Sequence, residues 1–177
     1  MNFTGKLEYG KAGESRIAAY FKRKGYSVLP VYEKEMTERK GPTLFAFDGT
    51  QVIAPDMLVF SGEKCFWVEA KRKSAFTWHR ISRQWVTGID INHYENYLRI
   101  ADGLSPWPVW LLFLHESGRA KDTPEGMSSP TGLFGNDLLV LRECENHRHE
   151  NWGRHGMVYW ARKSLKHINP EGEDLAA

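Results

Sequence analysis

The sequence predicts an α/β fold, a central mixed β-sheet flanked by helices. Three observations carry that expectation. Residues Lys6 to Lys24 have helical periodicity, with Leu7, Gly10, Glu14, Ile17 and Phe21 recurring at steps of three and four. Two strand-like runs, Ala54 to Phe60 and Phe66 to Lys71, are joined by Ser61-Gly62-Glu63-Lys64, whose glycine suits a tight hairpin. A second helical pattern, Asp90 to Ala101, precedes Val109-Trp110-Leu111-Leu112-Phe113-Leu114, the continuous apolar run of a strand covered on both faces.

Taken in order, the first helix stops at Gly25, because glycine adopts the left-handed conformation that follows many helix C-termini. A strand from Tyr26 to Tyr32 comes next, then a polar loop, Glu33 to Gly41. Thr43 to Phe47 is apolar and aromatic and ends on Asp48-Gly49, a hairpin signal. From about Gln51 a strand runs through Asp56 and hands over to the strand of Glu69, which makes a meander. Residues Phe76 to Gly88 follow neither period and receive no assignment. Asp90 is placed to cap the second helix, whose stripe is Ile91, Tyr94, Leu98 and Ala101, with His93, Tyr97 and Ile100 on a neighbouring face. Glu116 to Gly132 reads as a long loop, Met157 to Trp160 as a last strand, and Glu171 to Ala177 as a frayed tail. The whole reads as one domain, with a core over about residues 1–116 and a loop and C-terminal extension over 117–177.

Chemistry concentrates in the central hairpin. With Gly62-Glu63 as a two-residue loop, Phe60 faces Cys65, Leu58 faces Trp67 and Asp56 faces Glu69. Opposed side chains share a face, with Cβ atoms roughly 4.5–5.5 Å apart. Lys71, two places beyond Glu69, lies on that face too. Like charges directly opposite destabilise a strand pair, and a cation between them removes the penalty. Hard oxygen donors with room for water suit Mg²⁺. The plainer account has Asp56 merely beginning a strand after Pro55 while Glu69 and Lys71 pair at the solvent side. Glu14 sits mid-stripe in the first helix, where an unpaired carboxylate is costly. It either reaches water or pairs with Lys11, or it points across to the hairpin carboxylates. Lys71-Arg72-Lys73, His79-Arg80 and Arg83 follow the acidic patch at once. Such groups suit a phosphate backbone drawn towards carboxylates, and equally a solvated basic loop.

Pro55-Asp56 and Glu69-Ala70-Lys71, on two strands of one hairpin, resemble the PD-(D/E)XK nuclease superfamily. Gly13-Glu14-Ser15-Arg16, then Lys24-Gly25-Tyr26-Ser27-Val28, is similar to the first helix and strand of archaeal-type Holliday-junction resolvases. The resemblance covers roughly the first hundred residues. It implies a restriction-endonuclease-like fold with an α-β-β-β-α-β core, and a Mg²⁺-dependent deoxyribonuclease in which Mn²⁺ can substitute. By that resemblance Asp56, Glu69 and the backbone carbonyl of Ala70 hold the metal, and Glu14 binds a second ion or orients water. Lys71 positions the attacking water and offsets charge in the transition state. Arg72, Lys73, Arg80 and Arg83 become candidates for contact with DNA. So do His93 and Tyr97, whose spacing is similar to the Gln-x-x-x-Tyr helix of exonuclease branches, with His in place of Gln. Resolvases work as symmetric dimers, so the resemblance admits a homodimer. The rivals are a DNA-binding protein that kept a nuclease fold without activity, and a structure-specific junction resolvase. Inactive relatives usually lose the lysine or one carboxylate, whereas Glu14, Asp56, Glu69 and Lys71 are all present.

Composition adds less. A net charge of +2 does not by itself mark a nucleic-acid binder. Cys65 and Cys144 form no disulfide framework, and there is no N-terminal signal pattern. The run from Val109 to Leu114 is too short to span a membrane, so a cytoplasmic protein without a membrane partner is expected. Cys144, His147, His149 and His155 could offer a thiolate and three imidazoles to zinc, although their spacing matches no zinc motif. A polar loop of alternating His and Arg is the other account.

Overall fold

Residues 3–31, 42–116, 120, 122–152 and 155–168 are described by a computed structural model, the side chains of residues 3, 4, 6 and 7 excepted. The expected loop Glu33 to Gly41 and the tail Glu171 to Ala177 lie outside these residues.

Helix α1, Phe3–Arg23, begins before the expected Lys6 and ends where the sequence placed its stop. Gly25 takes φ +83°, and Tyr26 N–H and Gly25 N–H donate to the carbonyls of Phe21 and Lys22, at 3.0 and 3.1 Å. That pair of bonds satisfies two carbonyls the helix end would otherwise leave bare. The buried line of α1 runs through Gly13, Ile17, Tyr20 and Phe21, which puts Glu14 at its half-buried margin rather than at its centre.

The central sheet has the order β1 (Ser27–Pro30), β4 (Met57–Ser61), β5 (Lys64–Lys73), β8 (Val109–His115), β9 (Gly132–Asp137), β12 (Lys166–His167). Strands β1, β4 and β5 are antiparallel neighbours. Helix α2 (Ile91–Arg99) then returns the chain so that β8 lies parallel to β5. These six elements, α1, β1, β4, β5, α2 and β8, are the expected α-β-β-β-α-β core. The last third of the chain adds β9 and β12, both antiparallel to their neighbours.

Two insertions lie between core elements. Strands β2 (Thr43–Phe45) and β3 (Gln51–Ile53) form a separate hairpin. The expected continuous strand from Gln51 through Asp56 is therefore broken, and the sequence holds the reason. Pro55 has no N–H for a ladder, and Ala54 N–H turns back to the carbonyl of Pro42 at 2.8 Å. Asp56 stands in the bend just before β4, where its carbonyl accepts from Val31 N–H at 2.9 Å. The stretch without an assignment, Phe76 to Gly88, holds β6 (Thr77–His79) and most of β7 (Gln84–Asp90). They build a second antiparallel sheet, β10-β11-β7-β6, with β10 (Glu145–His149) and β11 (Met157–Ala161). The expected last strand thus pairs with β7, outside the central sheet.

Two cores sandwich the central sheet. On one face α1 lays Ile17, Tyr20 and Phe21 against Met57, Val59, Val68, Ala70 and Leu112. On the other, Leu111 and Phe113 of β8 meet Tyr94, Tyr97, Ile89 and Trp160 from α2, β7 and β11. Asp90 caps α2 as expected, its carboxylate accepting from Asn92 N–H at 2.9 Å. The short helix α3 (Leu138–Arg142) is capped in the same way by Asp137. Among the described residues no helix is long and apolar enough to cross a membrane.

Candidate active site

The β4–β5 register is the one the sequence predicts. Phe60 pairs with Cys65, Leu58 with Trp67 and Met57 with Val68, so Asp56 stands one step beyond the ladder, opposite Glu69. Alternation along β5 sorts its side chains between the two faces. Val68, Ala70 and Arg72 turn towards α1, while Glu69, Lys71 and Lys73 turn towards the α2 side.

Glu69 is only 1% exposed. Neither of its carboxylate oxygens has a hydrogen-bond donor in good geometry, although the Lys71 ammonium forms an ion pair with Oε1. Asp56 is half-buried, and its Oδ2 accepts a hydrogen bond from Ala70 N–H at 2.8 Å. Burial first, and then the charge on Glu69, push the Asp56 carboxyl well above its ordinary range, against the pull of Lys71. Lys71 responds the other way. Burial alone would lower it, but Glu69 and then Asp56 raise the ammonium above the usual lysine range. Glu14 is raised as well, by burial and by the charge on Glu69, with Lys71 opposing. The structure therefore brings Asp56, Glu69 and Lys71 together and holds Glu14 within electrostatic reach. Among the described residues, however, no three His, Cys, Asp or Glu side chains gather closely enough to hold an ion by themselves.

Helix α2 supplies the wall beside Glu69. Tyr97 is 1% exposed, and its hydroxyl lies 3.1 Å from Nδ1 of His93. Burial, then the carboxylates of Glu69 and Asp56, push the Tyr97 hydroxyl well above its ordinary range. Burial and the charge on Lys71 hold the His93 imidazole below its own. Asn96 ties the same helix to the β2–β3 hairpin by accepting from Ile53 N–H at 3.0 Å.

The remaining candidates separate. Arg72 faces α1, stacked over the Tyr9 ring at 3.8 Å and paired with Glu116 at 2.8 Å. Arg16 ion-pairs with the same carboxylate, and the Tyr9 hydroxyl donates to it at 3.1 Å. Gly13 permits the approach, since a Cβ there would lie 2.5 Å from Cβ of Arg72. Arg72 is thus engaged in fastening α1 to the end of β8, on the face away from Lys71. Strand alternation splits the three consecutive basic residues between the two faces, and Glu116, just beyond β8 at the start of the expected loop, becomes a partner of Arg72 through a contact distant in sequence. Lys73 does share the face of Lys71, and burial together with the charge on Lys71 pushes its ammonium down to about 8. Arg80 and Arg83 lie in the turn between β6 and β7. Cys144 is exposed in the turn after α3, and His147 is stacked between His79 and Tyr159. With His149 and His155 they do not assemble into a zinc site among the described residues.

The chain matches no protein-family model and no curated protein. Its fold does match solved structures. It is similar to Hjc, a Holliday junction resolvase from Archaeoglobus fulgidus, with a TM-score of 0.50 and 10% identity over 90% of this chain and 92% of that one. D212, a nuclease from a fusselovirus, is similar at a TM-score of 0.40 and 10% identity, over 89% and 82% of the two chains. At the resolvase's level of identity, the likeness shows a common fold, the restriction-endonuclease-like one.

Proposed function

We propose that this chain is a metal-dependent deoxyribonuclease that hydrolyses phosphodiester bonds at the Asp56–Glu69–Lys71 centre. The observation that carries the proposal is Glu69, a carboxylate in a core strand with both oxygens buried and no hydrogen bond of good geometry to either, paired with the Lys71 ammonium and opposite a second carboxylate. One lysine offsets one charge, which leaves a buried surplus that a divalent cation would complete. Two carboxylates with water and a backbone oxygen make a hard oxygen donor set, the kind Mg²⁺ accepts and Mn²⁺ shares. Asp56, Glu69 and the carbonyl of Ala70 would hold the ion, and Glu14 would act through a water rather than as a third direct ligand. Such an ion, when bound, makes water more acidic and neutralises phosphate oxygens.

The chain's own groups do the rest. Lys71 keeps its proton at any physiological pH and so serves as a fixed positive donor towards a phosphate oxygen, where charge builds in the transition state. Tyr97 also keeps its proton and stays a hydrogen-bond donor beside Glu69. Ala70 N–H fixes the Asp56 carboxylate in one orientation and leaves Oδ1 for the ion. α2 and the Leu111–Phe113 core exclude bulk water behind Glu69, which strengthens each of these contacts.

The test is cleavage of linear, nicked, four-way-branched and single-stranded DNA with Mg²⁺ or Mn²⁺. Cleavage that stops with chelator and disappears in Glu69→Gln is the expected result. No cleavage of any substrate with either ion sinks the proposal. A structure-specific junction resolvase is the second reading, favoured by the likeness to the archaeal resolvase fold. Strong preference for the four-way junction by a dimer supports it, and equal cutting of linear duplex by a monomer removes it.

A further inference from the structure

The hairpin that follows the Glu69–Lys71 strand ends in a tip with no part in the centre described above. Strands β6 and β7 are joined by Arg80-Ile81-Ser82-Arg83. Ile81 is 89% exposed, an apolar side chain at the very end of a turn that would ordinarily be polar. It stands between two arginines. Arg80 is paired with Asp122 at 2.7 Å in an open, solvent-exposed contact, whereas Arg83 makes no ion pair among the described residues.

Arg83 is also the one non-glycine residue with positive φ among the described residues, at +51°. Glycine or asparagine would hold that left-handed position with less strain, so a long cation is kept there at a backbone cost. The tip is braced as well. Nδ1 of His79 lies 2.7 Å from Oγ of Ser82. The His79 ring stacks on His147 with centroids 4.0 Å apart, and His147 stacks on Tyr159 at 4.6 Å. That row of half-buried rings lies on the face of the second sheet opposite the one that buries Ile89, Val158 and Trp160. An apolar point flanked by cations on a braced hairpin has the chemistry of a wedge for a polyanion with stacked, apolar interior faces, which is duplex DNA.

The chain also sets the distance. β7 runs from the tip to Asp90, the cap of the helix that carries His93 and Tyr97 beside Glu69. Seven strand residues span at most about 24 Å, less than one turn of B-DNA at about 34 Å. The tip thus lies less than one duplex turn from the start of α2, the helix that carries His93 and Tyr97.

We infer that the β6–β7 tip is a duplex-deforming finger, in which Ile81 enters the minor groove and wedges at a base step while Arg83 and Arg80 hold the flanking phosphates. The inference rests on the nuclease reading of the Asp56–Glu69 centre. It concerns how the substrate is gripped and bent, and its readouts do not require cutting.

The experiment uses the full chain carrying Glu69→Gln, with 2-aminopurine placed in turn along a duplex. Fluorescence should rise at one position, where a base step is unstacked. Adding Ile81→Ser should abolish the rise while leaving the salt dependence of binding nearly intact. Arg83→Gly suits the local backbone and removes only the cation, so it should fold normally and lower the log–log salt slope by about one. A fluorescence rise that survives Ile81→Ser, or a salt slope untouched by Arg83→Gly, overturns the finger. So does a dimer that Ile81→Ser converts to monomer in sedimentation, since the tip would then be a contact between copies. An Ile81-dependent rise in a protein whose parent cuts nothing keeps the finger and ends the nuclease reading. Cleavage by the parent without that rise does the reverse, and no binding to DNA at all ends both.

Discussion

Replacing Asp56 by Asn should make the metal-free protein more stable. Asn keeps an oxygen for the hydrogen bond from Ala70 N–H, leaves the Lys71–Glu69 ion pair in place, and removes only a charge. At about 5 Å and an effective dielectric near 20, two carboxylates repel by about 3 kcal/mol. Asp56 also loses the attraction of Lys71 and part of the strength of its hydrogen bond, which brings the net gain to about 1–2 kcal/mol. For a chain of this size that is a rise in melting temperature of about 2–8 °C. The pH dependence has a definite sign. The folded-state value of Asp56 is raised above the ordinary 3.8, so the fold binds its proton more tightly than the unfolded chain does. Metal-free stability should therefore fall as pH climbs from near 4 through the raised folded value, and Asp56→Asn should remove that fall. Mg²⁺ should stabilise the parent, by about 2.7 kcal/mol at a hundredfold excess over its dissociation constant, and the variant far less. The assay is thermal melting of both proteins across pH in chelator, repeated with Mg²⁺ near neutrality. A chelated Asp56→Asn that melts below the parent, with both proteins indifferent to Mg²⁺, would refute the carboxylate cluster.

Three further outcomes are expected. Lys71→Ala should cut DNA hydrolysis by about two or more orders of magnitude, with the fold retained in the presence of Mn²⁺, because a transition-state contact is lost; turnover near the parent's would move that role to another residue. Glu14→Gln should impair cleavage without weakening α1, since Gln has similar helix propensity, and normal cutting would make Glu14 a bystander. Glu116 behaves oppositely to Asp56: burial would raise it, but its bonds from Arg72 and Tyr9 outweigh that and hold it below its ordinary value. Its contribution should be present above about pH 4.5 and lost as pH falls through the depressed folded value, so Glu116→Gln should lower the neutral-pH melting temperature and flatten that acid limb, as circular dichroism can measure.

What the sequence disclosed was what local rules govern. Gly25, Asp90 and Gly62-Glu63 each act through a few neighbouring bonds, and the helix end, the helix cap and the hairpin register all stand where those residues put them. The pairing of Asp56 with Glu69 followed from register alone. The misses have longer-range causes. The strand through Asp56 breaks at Pro55, which has no N–H to give, and only the contact of Ala54 with Pro42 shows which way the chain turns there, a contact that periodicity does not reveal. β6 and β7 carry aromatic residues on both faces, with Trp78 and Trp85 paired on one and His79 on the other, so neither face reads as polar. The fastening of α1 by Arg72 and Glu116 joins residues from distant parts of the chain, and only the alternation along β5 hinted that Arg72 would leave the patch.

The two-residue turn between β4 and β5 has a consequence for the order of events in folding. A hairpin closed by so short a loop forms in about 1–10 μs, long before β8 arrives across the α2 crossover. The strands that oppose Asp56 and Glu69 are thus expected among the first to meet, with the repulsion felt on the way up the barrier, which stopped-flow refolding of Asp56→Asn beside the parent measures. Relief of that repulsion should speed folding and leave the unfolding rate nearly unchanged. The same turn guards against slippage, because a shift of one residue would swing Glu69 and Lys71 to the α1 side and bring Ala70 and Arg72 in their place. The placement of Asp56, Glu69 and Lys71 on one face is fixed by the two-residue turn Gly62-Glu63.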